Sequence, residues 1–328
     1  MGIEVLRWKE LVAIAGTPSK ARGLLKFGAY RRVLRDAYVA CDVPDDAATR
    51  CAALRAVLAA DVILSHWGGL WALGLEVLAR DRDKLDLLDV TTGRERDLVP
   101  RRGIRTHSAY VSDEDVCEVN GVLFVSAARA FVDVARTYGL VEGVACGDAA
   151  LRAGATTPEL IEQSLDRAAK LRWVTRAREA VEHLEPRSES LMESRLRVGF
   201  VLAGGPRMRA QLDLYDDERR HRGRSDLFLD GVSVEYDGRD SRLEKVKFTG
   251  DRVRRNDASD LEVEVRHFTG SMYYKTTPYE RLQVLLRALA IAARRTRPRL
   301  RFGQDTLRPP KLRPVPTKAD LAQASRSA

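Results

Sequence analysis

The sequence predicts a mixed α/β protein with three folded domains and a basic C-terminal tail. Apolar residues make up 45% of the 328 residues, which is enough for two or three domains, each with its own core. Apolar residues at helical spacing alternate along the chain with short runs at strand spacing. The pair Asp230-Gly231 lies between two alternating apolar runs, a pattern typical of a tight β-hairpin.

The first predicted domain, residues 1–45, contains two short helices and a small hairpin. We expect helices over 6–15 and 19–27, because Gly16-Thr17-Pro18 ends one helix and starts the next. Strands are expected over 30–34 and 37–40. Two short helices followed by a basic wing are typical of a winged helix-turn-helix, which binds DNA.

Six basic residues and no acidic residue lie between positions 20 and 35. We expect them to contact DNA phosphates or a groove. The alternative is an ordinary helical hairpin with a basic face turned to solvent. The six are Lys20, Arg22, Lys26, Arg31, Arg32 and Arg35.

The second predicted domain, residues 46–185, mixes helices and strands. Helices are expected over 52–60, 65–73, 127–138 and 140–152, with another opening at Thr157-Pro158, and strands over 85–90, 103–107 and 122–125. Ser65 and Ser126 are the expected N-caps of two of these helices. His66 and His107 are candidates for a catalytic pair, but a buried or capping role is favoured, because no nucleophile or carboxylate lies at an informative spacing.

The third predicted domain, residues 186–293, has the order helix, strand, strand, strand, helix, strand, helix. Its centre is the hairpin around Asp230-Gly231, in which a two-residue loop would pair Asp226 with Glu235. Directly opposed like charges on neighbouring strands lie about 4.5–5.5 Å apart and are destabilising. A divalent cation with oxygen ligands reverses that effect. The hairpin therefore predicts half of a magnesium site, the alternative being a charged solvent face that protects against aggregation.

The predicted tail, residues 294–328, is basic and rich in proline. Nine arginines and lysines lie between 294 and 318, against the single acid Asp305, in a chain whose net charge is +9. Such a composition predicts disorder, with contacts to nucleic-acid phosphates or a solubilising role.

The four cysteines are scattered, which predicts reduced thiols and a cytoplasmic location. No stretch approaches the ~20 apolar residues of a membrane-spanning helix, so no membrane partner is expected.

The last third of the chain resembles the PD-(D/E)XK nuclease superfamily, and within it the proteins related to very-short-patch-repair endonuclease. The likeness lies in Glu193 on the first helix, Asp226 on one hairpin strand and Glu235-Tyr236-Asp237 on the next. The segments that carry it are 190–196, 225–227, 232–238 and 266–269. The resemblance implies a restriction-endonuclease-like α-β-β-β-α-β-α domain and Mg²⁺- or Mn²⁺-dependent cleavage of double-stranded DNA.

The resemblance also implies roles for single residues. Asp226 would be the main metal ligand, Glu235 the second, and the backbone carbonyl of Tyr236 the third, with Glu193 reaching the site directly or through water. Asp237 stands at the superfamily's lysine position. Ser190 and Glu193 also fit a capping box, in which Glu193 would bind a backbone N–H instead.

The sequence departs from this family after Gly238, where no histidine follows for proton transfer. Lys245 or Lys247 is the substitute we expect as a general acid or phosphate contact. Further expected contacts to the DNA backbone are Arg195, Arg254 and Arg255.

The N-terminal region resembles AbiEi-type antitoxins and abortive-infection regulators, in which a winged helix precedes an α/β domain. The segments that carry this likeness are 16–39, 64–71 and 121–135. Two functions follow as hypotheses: a metal-dependent DNA endonuclease, or a non-catalytic transcriptional regulator or antitoxin that keeps the nuclease fold as a scaffold. A third is a module that neutralises a partner toxin protein.

Overall fold

The computed structural model describes residues 3–59, 62–75, 88–92, 103–238, 262–294, 301–302 and 313–327. It confirms a mixed α/β fold. Within these residues, no helix is both long and apolar enough to cross a membrane. The chain separates into two compact units: the first comprises 1–139, 153–178 and 311–328, and the second comprises 140–152 and 179–310. The expected domain boundary near residue 45 thus falls inside the first unit. The expected domain boundary near residue 185 falls close to residue 179, where the main segment of the second unit starts.

The helices of the described residues are numbered in chain order. They are α1 (Trp8–Ala15), α2 (Pro18–Lys26), α3 (Ala47–Val57), α4 (Trp67–Ala72), α5 (Ala127–Tyr138), α6 (Leu140–Ala153), α7 (Pro158–Arg167), α8 (Val174–Val181), α9 (Leu191–Leu202), α10 (Gly270–Lys275), α11 (Pro278–Ala292) and α12 (Lys318–Ser327).

The strands form one two-stranded and two five-stranded sheets among the described residues. They are β1 (Tyr30–Leu34), β2 (Ala37–Ala40), β3 (Ile63–Leu64), β4 (Leu88–Thr92), β5 (Ile104–Ser108), β6 (Val116–Val119), β7 (Val122–Val125), β8 (Arg209–Tyr215), β9 (His221–Leu229), β10 (Val232–Asp237), β11 (Glu264–Thr269) and β12 (Arg301–Phe302).

The first unit begins with α1, α2 and the antiparallel hairpin β1–β2, in the predicted order and close to the predicted bounds. Thr17 caps α2 through its side chain, and Pro18 occupies the first turn, as the local sequence predicts. The two helices pack on the hairpin through a small core that includes Leu11, Ala21 and Tyr38.

A mixed sheet with strand order β5-β4-β3-β7-β6 forms the rest of the first unit's framework. Strand β4 pairs antiparallel with β3 and parallel with β5. Helix α4 lies close to this sheet because Gly68 and Gly69 have no side chains: a Cβ on Gly69 would stand 3.3 Å from the carbonyl oxygen of Val125. The segment just before this close approach contains His66.

Three expectations for the first unit are corrected by the structure. Helix α3 starts at Ala47 rather than at 52, because the side chain of Asp46 accepts the N–H of Thr49 and caps it there. The residue in the N-cap position of α4 is His66, not Ser65. Strand β6 was not expected, and it pairs antiparallel with the predicted β7.

The tail is also more ordered than its composition predicts. Residues 301–302 pair with β8, and the chain from Lys318 to Ser327 forms α12. The side chain of Asp320 accepts the backbone N–H of Thr317 at 2.8 Å, which begins this helix. The expectation of disorder therefore fails for these residues, because local capping and strand pairing supply contacts that composition alone does not reveal.

The second unit has the strand order β11-β10-β9-β8-β12, in which only β10 and β11 run parallel to each other. Helices α9 and α11 cover one face through a core that includes Leu196, Phe200, Leu227 and Leu285. The expected helix between the hairpin and β11 falls on residues 239–261, outside the described residues. Helix α10, directly after β11, was not expected.

Candidate metal centre

The hairpin between β9 and β10 has the predicted register. Leu229 pairs with Val232 and Phe228 with Ser233. Asp230 and Gly231 both have positive φ angles, 44° and 81°, as a two-residue turn of this kind requires. The predicted apolar face is also confirmed, since Leu227, Val232 and Val234 lie in the main core.

The opposite face of the hairpin is not the open, charged solvent face of the alternative interpretation. Phe228 packs there in a second small core with Leu212, Leu214 and Val263. Asp226 and Glu235 therefore lie in surroundings that are partly apolar, where an uncompensated negative charge is costly.

Asp226 is held by two hydrogen bonds from neighbouring strands. Its Oδ2 accepts the backbone N–H of Tyr236 at 2.9 Å, and its Oδ1 accepts the side-chain amide of Gln211 at 3.3 Å. The regular pairing of β9 with β10 ends at Leu227–Val234, so it does not extend to the expected pair of Asp226 with Glu235. The Asp226 carboxylate instead reaches the backbone one residue beyond Glu235. The expected role of the Tyr236 carbonyl stays a prediction.

Glu193 comes from the first turn of α9, and its contacts combine the two roles that the sequence left open. The helix is capped by Ser190, whose Oγ accepts the N–H of Glu193. Glu193 Oε2 accepts the backbone N–H of Glu189 at 2.8 Å, and it also accepts the amide of Gln211 at 2.8 Å. The carboxylate thus stabilises the helix start and is linked to Asp226 through a shared donor.

Gln211, to which sequence reasoning assigned no role, joins the two acids. Its amide nitrogen donates to both Glu193 and Asp226. Its φ of 52° is unusual for a strand residue and carries a backbone cost of about 1–3 kcal/mol. The neighbours Ala210 and Leu212 lie in different cores, so the strand changes face at Gln211. The alternation of apolar and polar residues predicts the faces of a strand only where the backbone is regular. It therefore does not identify a residue at which the strand changes face.

Glu235 ends a short chain of hydroxyl groups. Ser233 Oγ lies 2.5 Å from Glu235 Oε1, Ser225 Oγ donates to the carbonyl of Leu227 at 2.9 Å, and the two hydroxyl oxygens lie 2.6 Å apart. Each serine hydroxyl has one proton. The two hydroxyl protons cannot supply all three contacts, which are Ser225 with Leu227, Ser225 with Ser233, and Ser233 with Glu235. A proton on Glu235 would complete the chain.

The electrostatics of the three acids agree with that description. Burial, followed by the negative charge of Asp226, raises the pKa of Glu193 to about 7 and that of Glu235 to about 8. Burial also raises the pKa of Asp226, against the hydrogen bonds from Tyr236 and Gln211. Among the described residues, no arginine or lysine forms an ion pair with Asp226 or Glu235. Protons on the glutamates therefore offset part of the cluster's charge near neutral pH, and the described side chains do not neutralise the charge that appears as those protons leave.

Asp237 lies at the edge of the cluster, next to a histidine to which sequence reasoning assigned no role. His267 Nδ1 is 3.3 Å from Asp237 Oδ2, and His267 is the parallel-strand neighbour of Glu235. Segment 266–269 carries part of the resemblance to the nuclease superfamily, but the pairing of β11 with β10 is not predictable from it. An imidazole is thus present at the acids, from a neighbouring strand rather than from the segment after Gly238.

Arg195 does not lie where the sequence led us to expect it. Its guanidinium is buried and forms a two-bond ion pair with Glu142, at 2.7 and 2.8 Å. A buried arginine that is paired with Glu142 is poorly placed for a phosphate contact, and its role in DNA binding stays a prediction. Lys245, Arg254 and Arg255 lie outside the described residues, and their roles stay predictions.

The basic residues of the N-terminal segment are mostly exposed. Lys20, Arg22 and Lys26 project from α2 into solvent, and Arg32 and Arg35 are exposed in and after β1. Phe27 beside them is 83% exposed. Arg31 is the exception, since it is half-buried and donates to the carbonyl oxygens of Val43 and Pro44. Five of the six expected DNA contacts therefore share an accessible position.

Neither a protein-family model nor a curated protein matches this sequence.

Proposed function

We propose that this protein is a divalent-metal-dependent endonuclease that cleaves double-stranded DNA. The observation that carries the proposal is the convergence of Glu193, Asp226 and Glu235 from one helix and two strands, with raised pKa values and no cationic partner among the described residues. Carboxylate oxygens are the ligands that Mg²⁺ and Mn²⁺ prefer. A bound cation would balance the negative charge of the carboxylates that the fold brings together.

Glu193, Asp226 and Glu235 do not form a group whose ligand atoms already lie within 4.8 Å of one another, so an ion would draw the three carboxylates closer together. Asp226 is held in place by the Tyr236 N–H and the Gln211 amide, and Glu193 is held by the Glu189 N–H. Those contacts fix one oxygen of Glu193, so its second oxygen is the one that would face a ligand. When bound, Mg²⁺ would supply an activated water molecule and offset negative charge on the phosphate. His267, beside Asp237, is the group we assign to proton transfer.

DNA as the substrate is supported by charge. The exposed basic side chains on α2 and β1 are suited to contacts with phosphates, and Phe27 adds an exposed ring among them. We propose that residues 1–45 act as a winged helix that binds duplex DNA and that residues 186–293 act as a PD-(D/E)XK nuclease domain. The order of helices and strands from α9 to α11 is the structural support for the second assignment.

The test is cleavage of supercoiled and linear duplex DNA by the full chain in Mg²⁺ or Mn²⁺. Asp226→Asn keeps the size of the side chain and removes its charge, and should lower the rate at least 100-fold, which is about 2.7 kcal/mol of transition-state stabilisation. Asp230→Asn is the matched control, since Asp230 lies on the same hairpin but at its exposed turn. Equal rates for Asp226→Asn and the parent would contradict the proposal.

A second function is favoured by a separate observation. The basic face of α2 and β1 is accessible whatever the state of the acids, so the chain could act as a non-catalytic transcriptional regulator or antitoxin. That function predicts tight, salt-sensitive binding to one DNA sequence and no cleavage in any metal. An antitoxin would in addition bind a toxin protein, and co-purification of that protein with the full chain would support it.

A further inference from the structure

We propose that His66, Asp89 and His107 form a second metal site, in the first unit, that binds a divalent transition-metal ion such as Zn²⁺. The ligand atoms that the three residues offer all lie within 4.8 Å of one another. Two imidazoles and one carboxylate are a ligand set that zinc and related ions use, with further positions left for water or substrate. Such a site would exist whether or not the acids of the second unit cleave DNA.

The sheet explains why residues so distant in sequence meet. Asp89 lies on β4, and His107 lies on the neighbouring parallel strand β5 beside Thr91. Residues 89 and 91 share a face of β4, so the carboxylate and the imidazole share it too. His66 follows β3, whose chain is tied to β4 by the hydrogen bond from the Ser65 N–H to the Asp89 carbonyl, 2.9 Å.

The two rings and the carboxylate are in close contact. The ring centroids of His66 and His107 lie 4.1 Å apart, with 30° between the ring planes. His107 Nε2 lies 2.7 Å from Asp89 Oδ1. His66 and Asp89 are buried, 1% and 6% exposed. A metal ion would replace the proton that this His107–Asp89 contact shares.

A surrounding set of hydrogen bonds orients these groups. Tyr138 donates its hydroxyl to Asp89 Oδ1 at 2.6 Å, and Arg105 donates to Tyr138 at 2.7 Å. His66 is hydrogen-bonded at both ring nitrogens by hydroxyls, Ser65 at 2.8 Å and Thr137 at 3.0 Å, and a bound ion would replace one of these two bonds. Partners of this kind fix the orientation of metal-binding side chains in known sites.

The backbone of His66 supplies independent support. Its φ of 54° and ψ of −127° are unfavourable for a residue with a side chain, at a cost of about 1–3 kcal/mol. A purely structural residue at this turn would be expected to be glycine. Retaining histidine there is explained if the imidazole has a function that offsets the strain.

The experiment uses the full chain carrying Glu235→Gln, which weakens the carboxylate site, after removal of metals with a chelator. Co²⁺ should produce a visible absorption band with one equivalent bound, and Zn²⁺ should displace it. The chain has five histidines, so imidazole NMR signals can be assigned individually. Zn²⁺ should shift the signals of His66 and His107 and leave those of His183 and His221 unchanged.

Variants complete the test. His107→Gln and Asp89→Asn should each weaken Zn²⁺ binding at least about 100-fold, and Tyr138→Phe about 10-fold or more. His183→Gln is the matched control and should bind like the parent. The proposal is overturned if Zn²⁺ leaves the His66 and His107 signals of the folded chain unchanged, or if His107→Gln binds Zn²⁺ as tightly as the parent. The NMR result decides even where a variant fails to fold.

Discussion

The carboxylate of Asp226 accepts the backbone N–H of Tyr236 at 2.9 Å, so the hairpin strand that carries Glu235 also fixes Asp226. Glu193 is joined to the same acid through the Gln211 amide. Three elements thus converge on one cluster of acids, where burial and, after it, the neighbouring negative charges raise the pKa values of Glu193 and Glu235. Such an arrangement costs stability unless a cation or a proton compensates it.

Stability should therefore depend on pH in the metal-free protein. The folded pKa values of Glu193 and Glu235 are raised, to about 7 and about 8, so their contribution to stability is complete below the ordinary glutamate range and is lost as the pH rises through those values. Between about pH 5 and pH 9 we expect the free energy of unfolding to fall by more than about 1 kcal/mol from this source.

Thermal or urea unfolding of the parent and of Glu235→Gln across that range measures the effect. The variant should lose less stability with rising pH, and Mg²⁺ should restore stability to the parent at high pH. An identical pH dependence in the two proteins would be inconsistent with an elevated pKa at Glu235.

His267 should affect the chemical step more than metal binding. Because it lies beside Asp237, His267→Gln should lower the cleavage rate by about 10²–10⁴-fold, the usual range for a general acid or base, and alter the pH–rate profile. Mn²⁺ affinity should change little. His221→Gln, which removes an exposed histidine paired with Asp213, is the control; a His267→Gln rate equal to that of this control would exclude the role.

The exposed basic residues of α2 and β1 should set the salt dependence of DNA binding. Replacing Lys20, Arg22 or Lys26 by Ala should make the slope of log Kobs against log salt concentration shallower by about 0.9 for each phosphate that the variant no longer neutralises. Lys170→Ala removes a comparable exposed charge elsewhere in the first unit and should leave the slope unchanged. If all of these variants have the same slope as the parent, DNA does not bind at α2 and β1.

Arg195 should matter for folding rather than for DNA. Its buried ion pair with Glu142 means that Arg195→Met leaves a carboxylate without its partner, at a cost of about 3 kcal/mol. DNA affinity of the folded variant, measured by fluorescence anisotropy below its melting temperature, should match that of the parent. A stable variant with weaker DNA binding would restore the expectation of a phosphate contact.

Sequence patterns predicted the turns and helix caps, because these depend on residues that are close together in the chain. The turn at Asp230-Gly231 requires positive φ angles, and Ser126, Thr157 and Ser190 cap helices where the sequence places them. The hairpin register and the acids on it followed from these patterns.

Contacts between distant segments were not predictable in this way. Asp89 was not connected with His66 and His107, because the pairing of β3, β4 and β5 has no signature in their spacing. The roles of Gln211 and His267 depend on a change of strand face and on a parallel pairing, and the burial of Arg195 depends on Glu142 of another helix.

The most direct test of the central claim is calorimetric titration of the full chain with Mn²⁺, comparing the parent with Glu235→Ala and with His107→Gln. We expect the parent and His107→Gln to bind Mn²⁺ at the acids equally well, and Glu235→Ala to bind at least about 10-fold more weakly, a loss of about 1.4 kcal/mol. Equal Mn²⁺ affinity in the parent and Glu235→Ala, or no binding by the parent, would contradict a metal centre at Glu193, Asp226 and Glu235.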